Sequence, residues 1–450
     1  MPKPLRAGAA TSNITPSLGC SLNGGMSDRF ATQIHDELHA RCLVLDDGDV
    51  LLGLVVCDSC AIPTEVIDAA KLAAHGRSSL LPDHVLVSAT HTHSAPTAVS
   101  TFQSDPDPEY QAFLSLRIAD GLRRALANLS PARIGWGVGR EPTQVFNRRW
   151  KLKPGKVPAN PFGAVDQVQM NPPVGSPDLV EPAGPIDPEI SLLAVQSTDG
   201  RPLAVLANYS LHYVGGTGPT DVSADYFAIF ADRLQQLLAA DRLDPPFVGM
   251  MSNGTSGNIN NIDFLHPRDG APPYQQMRHV AHVVADEALR VYRAIEFRDS
   301  VELGIRESRI ALRRRLPAAD EVERAKFILA QGKGAELRSL EEIYARETVL
   351  LSDWPATIET VVQGLRVGEL GIAALPCEVF VETGLAIKES SPFKPTFTIS
   401  LANGYAGYLP TREHHQLGGY ETWRARSSFL EVDAEPQLRR QAIELLGELF

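Results

Sequence analysis

The stretch Val85-Leu-Val-Ser-Ala-Thr-His-Thr-His-Ser-Ala-Pro96 decides how this chain is read. Its first half is an apolar, β-branched run, which reads as a buried strand. Small polar residues and Pro96 then break it into a loop, so His91 and His93 fall at the carboxyl end of that strand. In an extended segment residues i and i+2 point to one face. The spacing therefore predicts that both imidazoles are offered to one cleft. Two ordinary hydrogen-bonded histidines at a strand end would leave the same trace, and the rest of the chain has to choose.

On the amino-terminal side, residues 6–16 read as an opening strand closed by a Thr-Pro turn. Leu38–Leu45 and Val50–Val56 read as strands joined by Asp46-Asp-Gly-Asp49, and Thr64–His75 as a helix with Thr64 as its N-cap. On the carboxyl side an amphipathic helix follows at about 108–129. Strands 190–196 and 203–210 form a hairpin around Thr198-Asp-Gly200. The second runs into Leu211-His212-Tyr213, the next histidine at a strand end. A helix at 224–240 places Asp225 near its start. Strand 247–251 ends in Ser252-Asn-Gly-Thr-Ser-Gly-Asn-Ile-Asn-Asn261, which reads either as a nest of backbone N–H groups or as an ordinary turn-rich connection. A helix at 274–295 follows. Strands 360–367 and 370–375 form a hairpin ending in Pro376-Cys-Glu378, strand 397–401 leads into Ala402–Thr411, and a helix closes the chain at 435–449.

Strand–helix alternation of this kind predicts an α/β fold, with mixed β-sheets flanked by helices. Residues 1–450 read as one catalytic-type domain. It carries a Pro/Gly-rich excursion at 151–188 that can line a site, and a peripheral helical segment at 318–350.

The net charge of −12 and the lack of a Lys/Arg stripe speak against nucleic acid or an anionic membrane as the main partner. The first residues carry no apolar h-region and no run of 18 apolar residues occurs, so neither a signal peptide nor a transmembrane helix is expected. Five cysteines, odd and sparse, suit a reducing cytoplasm. Cys57-Asp-Ser-Cys60 leaves a thiol-redox role as a minor alternative.

The polar residues collected at strand ends are His91, His93, His212, Glu378 and the tyrosines at 405–420. Two imidazoles and a carboxylate are a common catalytic zinc set with a position left for water. Their separation in sequence means that spacing cannot prove the set.

Ser88-Ala-Thr-His-Thr-His-Ser-Ala-Pro96 resembles the first zinc motif of the neutral/alkaline ceramidase family. The likeness extends, in order, through Asn13-Ile-Thr-Pro16, Asn147-Arg148, Asn208–His212, the Asn/Gly-rich loop, Pro376-Cys-Glu378 and Asn403–Tyr408. By motif, the resemblance implies a Zn2+ held by His91, His212, Glu378 and Tyr408, with Tyr420 as a further active-site phenol. It also makes His93 the second histidine of the motif and Arg148 the substrate-facing arginine. Three departures stand out. The family's Gly-Asp-Val-Ser, whose Ser has been proposed as catalytic, is here Gly257-Asn-Ile-Asn260, and Asn260 cannot be a hydroxyl nucleophile. Cys377 stands where Gly is expected. The chain stops soon after Trp423, without the C-terminal β-sandwich of full-length ceramidases, and so resembles the shorter bacterial proteins with the catalytic domain alone.

The expected activity is zinc-dependent hydrolysis of a C–N amide bond, or a related ester, in a small-molecule substrate. Metal lowers the pKa of a bound water to about 7, which supplies a nucleophile without a serine. His93 would orient or shuttle the proton, Tyr420 and Arg148 would hold the oxyanion, and Asn260 would donate a further hydrogen bond to a substrate oxygen. Asp225 is a candidate partner for His212. The rival reading is a ligand-binding protein that keeps the fold without turnover.

Overall fold

In the computed structural model, which describes residues 3–268, 270–332 and 336–450, tight turns join three of the strand pairs and longer connections make the rest. Strands β1 (Arg6–Asn13), β2 (His39–Asp46), β3 (Leu51–Cys57), β4 (Val85–Ala89), β5 (Ser130–Arg140), β6 (Glu189–Ser197), β7 (Pro202–Tyr209) and β8 (Val248–Asn253) build one sheet in the order β8-β7-β6-β5-β1-β2-β3-β4. The Asp46–Asp49 turn makes β2 and β3 antiparallel neighbours, with Asp47 accepting the N–H groups of Asp49 and Val50. The hairpin expected around Thr198–Gly200 joins β6 to β7. A second sheet runs β9 (Leu303–Arg313), β10 (Thr357–Val367), β11 (Leu370–Ala374), β12 (Thr396–Ile399) in sequence order.

Helices account for the parallel pairs. Helix α1 (Thr64–His75) crosses from β3 to β4, and α2 (Pro108–Ala127) packs beside it. Helix α3 (Asp225–Leu237) crosses from β7 to β8 against α4 (Gln275–Tyr292). Two further helices, α5 (Ala319–Gln331) and α6 (Leu340–Ser352), pair with each other, and α7 (Val381–Ser390) crosses from β11 to β12. Helices α8 (Arg412–Leu417) and α9 (Ala434–Leu449) follow.

Side-chain alternation along the strands sets the layers. On β2, Leu43 and Leu45 face a core shared with Leu365, Val367, Ile372 and Phe397 of the second sheet. Cys42 and Val44 face the opposite way, toward Ile67, Leu114, Ile118 and Leu122 of α1 and α2. Helices α3 and α4 cover the β6–β7 half of that same outer face, and α7 and α9 cover the outer face of the second sheet. The order is helices, sheet, sheet, helices. The central strands of the first sheet are buried on both faces, which is why they read as continuous apolar runs, whereas Ser130–Arg140 and Leu303–Arg313 are partly exposed.

Three parallel crossovers mean that several strands end in the same region. Backbone bonds knit those ends: Ala89 N–H to Leu401, Asn403 N–H to Val87, and Ser400 N–H to Asn253. Asn208 adds a side-chain tie, donating to the Thr398 carbonyl at 3.1 Å. In open α/β sheets ligands bind outside the carboxyl ends of the strands, and here two sheets contribute such ends to one place.

Some details differ from the sequence reading. Thr64 is the first helical residue rather than the cap; Pro63 precedes it, and the Thr64 hydroxyl donates to the Asn403 carbonyl. The 318–350 segment forms α5 and α6, with residues 333–335 outside the described set. Helix α6 does more than cover the periphery. Its Tyr344 is 1% exposed and packs on Phe102, and its Glu347 holds Arg426 at 2.8 Å. The 151–188 excursion contributes short strands flanking Arg149–Leu152 and brings Asn171 and Val174 to a cavity wall. Among the described residues no helix is long and apolar enough to cross a membrane.

Helix α1 buries one charge. Lys71 is 4% exposed, and its Nζ lies 3.9 Å from Glu307 Oε2 on β9. Burial lowers its pKa to about 8, against about 10.4 in an unfolded chain. The folded state thus binds this proton less tightly, so its contribution to stability improves as pH rises from about 8 to about 10. Lys71→Met should raise the Tm at pH 7 by a few degrees and remove that rise, because Glu307 keeps its bond from Gln363. Thermal unfolding from pH 7 to 10 checks both effects.

Candidate metal centre

Strand β4 stops at Ala89, two residues before the first histidine. His91 has φ +75°, a left-handed conformation that non-glycine residues rarely adopt. It is fixed there by the His91 N–H bond to Ser59 and the Thr90 N–H bond to Cys57, both 2.9 Å. The two imidazoles do converge, with Nε2 atoms 3.2 Å apart. Strand alternation is not the cause, as the sequence reading supposed; a left-handed turn beyond the strand is.

Each metal-type histidine is oriented by a backbone carbonyl. His91 Nδ1 lies 2.7 Å from the Cys60 oxygen, and His212 Nδ1 lies 3.0 Å from the Ser256 oxygen. A carbonyl can only accept, so both Nδ1 atoms carry the proton, and each ring in its neutral form presents its Nε2 lone pair to the centre. These Nε2 atoms face each other at 3.0 Å. Glu378 Oε2 stands 3.2 Å from one and 3.8 Å from the other. That oxygen is buried without a hydrogen-bond donor, while Oε1 accepts the Tyr405 hydroxyl at 2.9 Å. Three buried acceptors crowded together repel unless a proton or a cation lies among them. The donor set fits a divalent cation: His91, His212 and Glu378 offer ligand atoms all within 4.8 Å of one another.

The charge balance shows the same need for a positive charge, met by a proton on His91 when no cation is bound. Burial opposes a charge on His91, but the Glu378 carboxylate outweighs it and holds that pKa well above the usual histidine value. Burial and the neighbouring His91 push His212 and His93 well below theirs. His93 stacks on Tyr213 with ring centroids 3.7 Å apart, and its Nδ1 has no partner. Gly24, at φ +100°, is needed beside it: a Cβ there would come within 2.4 Å of the His93 ring.

A short parallel pair, Glu378–Val379 with Tyr408–Leu409, sets Glu378 directly opposite Tyr408. The Tyr408 hydroxyl accepts from Arg148 Nη2 at 3.1 Å. Arg148 is held in turn by Glu421 at 3.0 Å and the Gly257 carbonyl at 2.7 Å. Glu421 is fully buried. Burial alone would raise its pKa, but Arg149 and Arg148 together hold it below the usual carboxylate value. Tyr420 packs against the Tyr408 ring at 5.8 Å. Burial and then the Glu378 charge keep all three phenols, Tyr405, Tyr408 and Tyr420, protonated. With Cys60, His91, His93 and Glu378 they line a small cavity of about 40 Å3.

A larger cavity of about 460 Å3 is lined by Asn171, Asn260, Val174, Ile262 and others, together with Arg148 and Tyr213, which touch Tyr408 and His93 of the small one. Asn260 sits in this second space. Its Nδ2 donates to Asn171 at 2.6 Å and its Oδ1 accepts the Ile262 N–H. Asn260 does not line the small cavity beside the histidines. Ser256 lies behind the His212 ring, with Oγ bonded to Asn253 at 2.8 Å and 3.3 Å from Nδ1, the edge away from the centre. Asp225 is no partner of His212. Its carboxylate accepts the N–H groups of Val214, Gly215 and Tyr226, because a left-handed turn at φ +57° folds it onto its own backbone. Cys57 and Cys60 are both buried and free.

Sequence reading missed Asn253. This buried residue ends β8, and its Nδ2 donates to the Thr90 and Leu211 carbonyls, both at 3.2 Å. It thereby clamps together the residues that precede His91 and His212. Tyr405 was missed as the partner of Glu378, although it lies in the same Tyr-Ala-Gly-Tyr run as Tyr408. The signal for Asn253 was slight: one amide in a loop full of them.

Replacing Asn253 by Ala strands the Thr90 carbonyl, leaves Leu211 only the Tyr226 hydroxyl, and removes the tie between the two histidine loops. Metal retention should weaken about 10–100-fold, as for other groups that orient ligands. Equilibrium dialysis against a competing chelator measures it, and unchanged affinity would show that the clamp is dispensable.

No family model matches the sequence, and no curated protein shows significant sequence similarity to it. Solved structures do match. Neutral ceramidase from Pseudomonas aeruginosa superposes with a TM-score of 0.73 over 99% of this chain and 74% of that one, at 17% identity. A ceramidase structure described as complexed with C2 gives a TM-score of 0.73 over 99% and 75%, at 18% identity. At such identity the likeness is one of architecture, and along almost its whole length this chain has the neutral ceramidase fold.

Proposed function

We propose that the chain is a zinc-dependent hydrolase of an acyl amide, or a related ester. The observation that carries this reading is the buried cluster of bare acceptors, His91 Nε2, His212 Nε2 and Glu378 Oε2, beside two hydrogen-bond donors and an open cavity. His91, His212 and Glu378 would hold the ion, with Tyr408 as the fourth donor; nitrogen and oxygen donors of this kind suit zinc. When bound, the metal supplies Lewis acidity that makes water nucleophilic near neutral pH.

The remaining steps belong to protein groups. His93 is neutral, so it can take a proton from an attacking water and return it to a leaving nitrogen. Its stacking on Tyr213 fixes the ring for that exchange. The Arg148 guanidinium and the protonated Tyr420 hydroxyl supply positive density where a carbonyl oxygen gains charge. Glu421 and the Gly257 carbonyl pre-organise Arg148, so little reorientation is needed at reaction. The larger cavity would take the body of the substrate. Asn260 lies in its wall, which suits recognition of a polar group distant from the scissile bond better than an oxyanion role. The fold likeness to ceramidases supports an amide-bearing acyl substrate. Five free cysteines suit a reducing compartment such as the cytoplasm.

The alternative, ligand binding without turnover, draws on the engagement of Asn260 by Asn171 and Ile262. Two measurements separate the readings. Protein purified without added metal should hold about one zinc per chain, and His91→Ala or Glu378→Ala should abolish retention. A screen of N-acyl amides and esters should reveal turnover that chelators remove. His93→Ala should keep the zinc yet lose about 10²–10⁴ in kcat. Zinc-loaded protein inert across that screen would leave the binding reading standing.

A further inference from the structure

The donors around His91 do not end with His212 and Glu378. Strands β3 and β4 are parallel neighbours with Cys57 opposite Ala89, so the segment after β3 runs beside the turn after β4. Cys60 lands there, 6% exposed, with its Sγ 3.7 Å from His91 Nδ1. Cys60, His91 and His93 offer ligand atoms that all lie within 4.8 Å of one another. The thiol lines the same small cavity as Glu378 and the three tyrosines. His93 has a buried Nδ1 without a partner and an Nε2 facing His91. The centre therefore has two sides that share His91: a nitrogen–oxygen side made with His212 and Glu378, and a sulfur–nitrogen side made with Cys60 and His93.

Thiolate is a soft ligand that also binds zinc, and it raises the preference for a softer ion such as Cd2+ relative to a site of imidazole and carboxylate alone. We propose that Cys60, His91 and His93 form a second binding position for a thiophilic divalent cation such as Cd2+, mutually exclusive with the His91–His212–Glu378 position. Exclusion follows because His91 Nδ1 keeps its proton on the Cys60 carbonyl, so the ring has one lone pair, on Nε2, to give to either ion. On binding, the Cys60 thiol becomes a thiolate and its proton leaves to solvent; no electron is transferred. Occupation of the soft position withdraws His91 from the zinc set, so Cd2+ acts as an inhibitor that competes with zinc. This inference rests on the metal reading of the centre.

The test is a titration of metal-free protein with Cd2+, followed by ultraviolet absorbance and by dialysis. The parent should develop a thiolate-to-cadmium charge-transfer band that saturates at about one ion per chain. Cys60→Ser and Cys60→Ala, checked for folding by circular dichroism, should lose the band yet still retain zinc. His93→Ala should weaken the band, and His212→Ala should keep it while losing zinc. Pre-loading with zinc should lower the apparent affinity for Cd2+ about tenfold or more. A band that survives both Cys60 substitutions, Cd2+ bound without a band, or zinc and Cd2+ held together at full occupancy would each overturn the proposal. If the parent retains neither ion, the metal centre itself falls. If it retains zinc but shows no Cys60-dependent cadmium band, only the soft position falls.

Discussion

Three ligand-type atoms meet in the interior of this protein where only a shared proton or a cation can sit between them, and much of the surrounding structure serves to hold them there. Two imidazole lone pairs 3.0 Å apart, with a carboxylate oxygen 3.2 Å from one of them, repel in a medium too apolar to screen them. The fold maintains the arrangement because each ring is tied from behind. The Cys60 and Ser256 carbonyls fix the tautomers, Asn253 clamps the two loops, and Tyr405 occupies the other carboxylate oxygen. Such crowding is costly in an ordinary core and natural in a site built for a cation.

The architecture explains how acceptors so distant in sequence are brought together. A single parallel sheet offers its carboxyl ends along one line. Here two sheets stacked face to face, each with helical crossovers, bring their ends to a common rim. β4 and β7 deliver His91 and His212 from one sheet, and β11 delivers Glu378 from the other. The bonds Ala89–Leu401, Asn403–Val87 and Ser400–Asn253 close that rim. Because the site lies across the sheet–sheet boundary, its geometry depends on the shared apolar core beneath it.

A second set of charges stands behind the first. Arg148 and Arg149 enclose the buried Glu421, and Arg149 also reaches His414, which is 2.9 Å from Glu382. Breaking one member of such a group leaves an uncompensated buried charge. Its retention beside the cavity accounts for the fixed direction of the Arg148 guanidinium toward Tyr408. Asn260 pairs its carboxamide with Asn171 in the wall of the larger cavity.

Local patterning alone carried much of this structure. Apolar runs, Asp/Gly turns and helical spacing placed many of the strands and helices within a few residues, because hydrophobic periodicity and turn chemistry act over short distances, but Ser130–Arg140, Leu303–Arg313 and Val381–Ser390 went unread. Placing His91, His93, His212 and Glu378 at strand ends needed nothing more. Tertiary structure decided what these residues do. Which strand ends meet depends on crossovers spanning many residues. His91 points into the site through a left-handed turn that no periodicity announces. Asp225, attractive at a helix start, is consumed by three N–H groups of its own neighbourhood, whereas Asn253, Tyr405, Glu421 and Cys60 acquire their positions from segments far away in sequence. The residue types on offer were set by the sequence itself. The orientation of each polar group was set by whichever carbonyl, charge or ring the folded chain placed beside it, since a buried polar atom takes its role from its nearest partner.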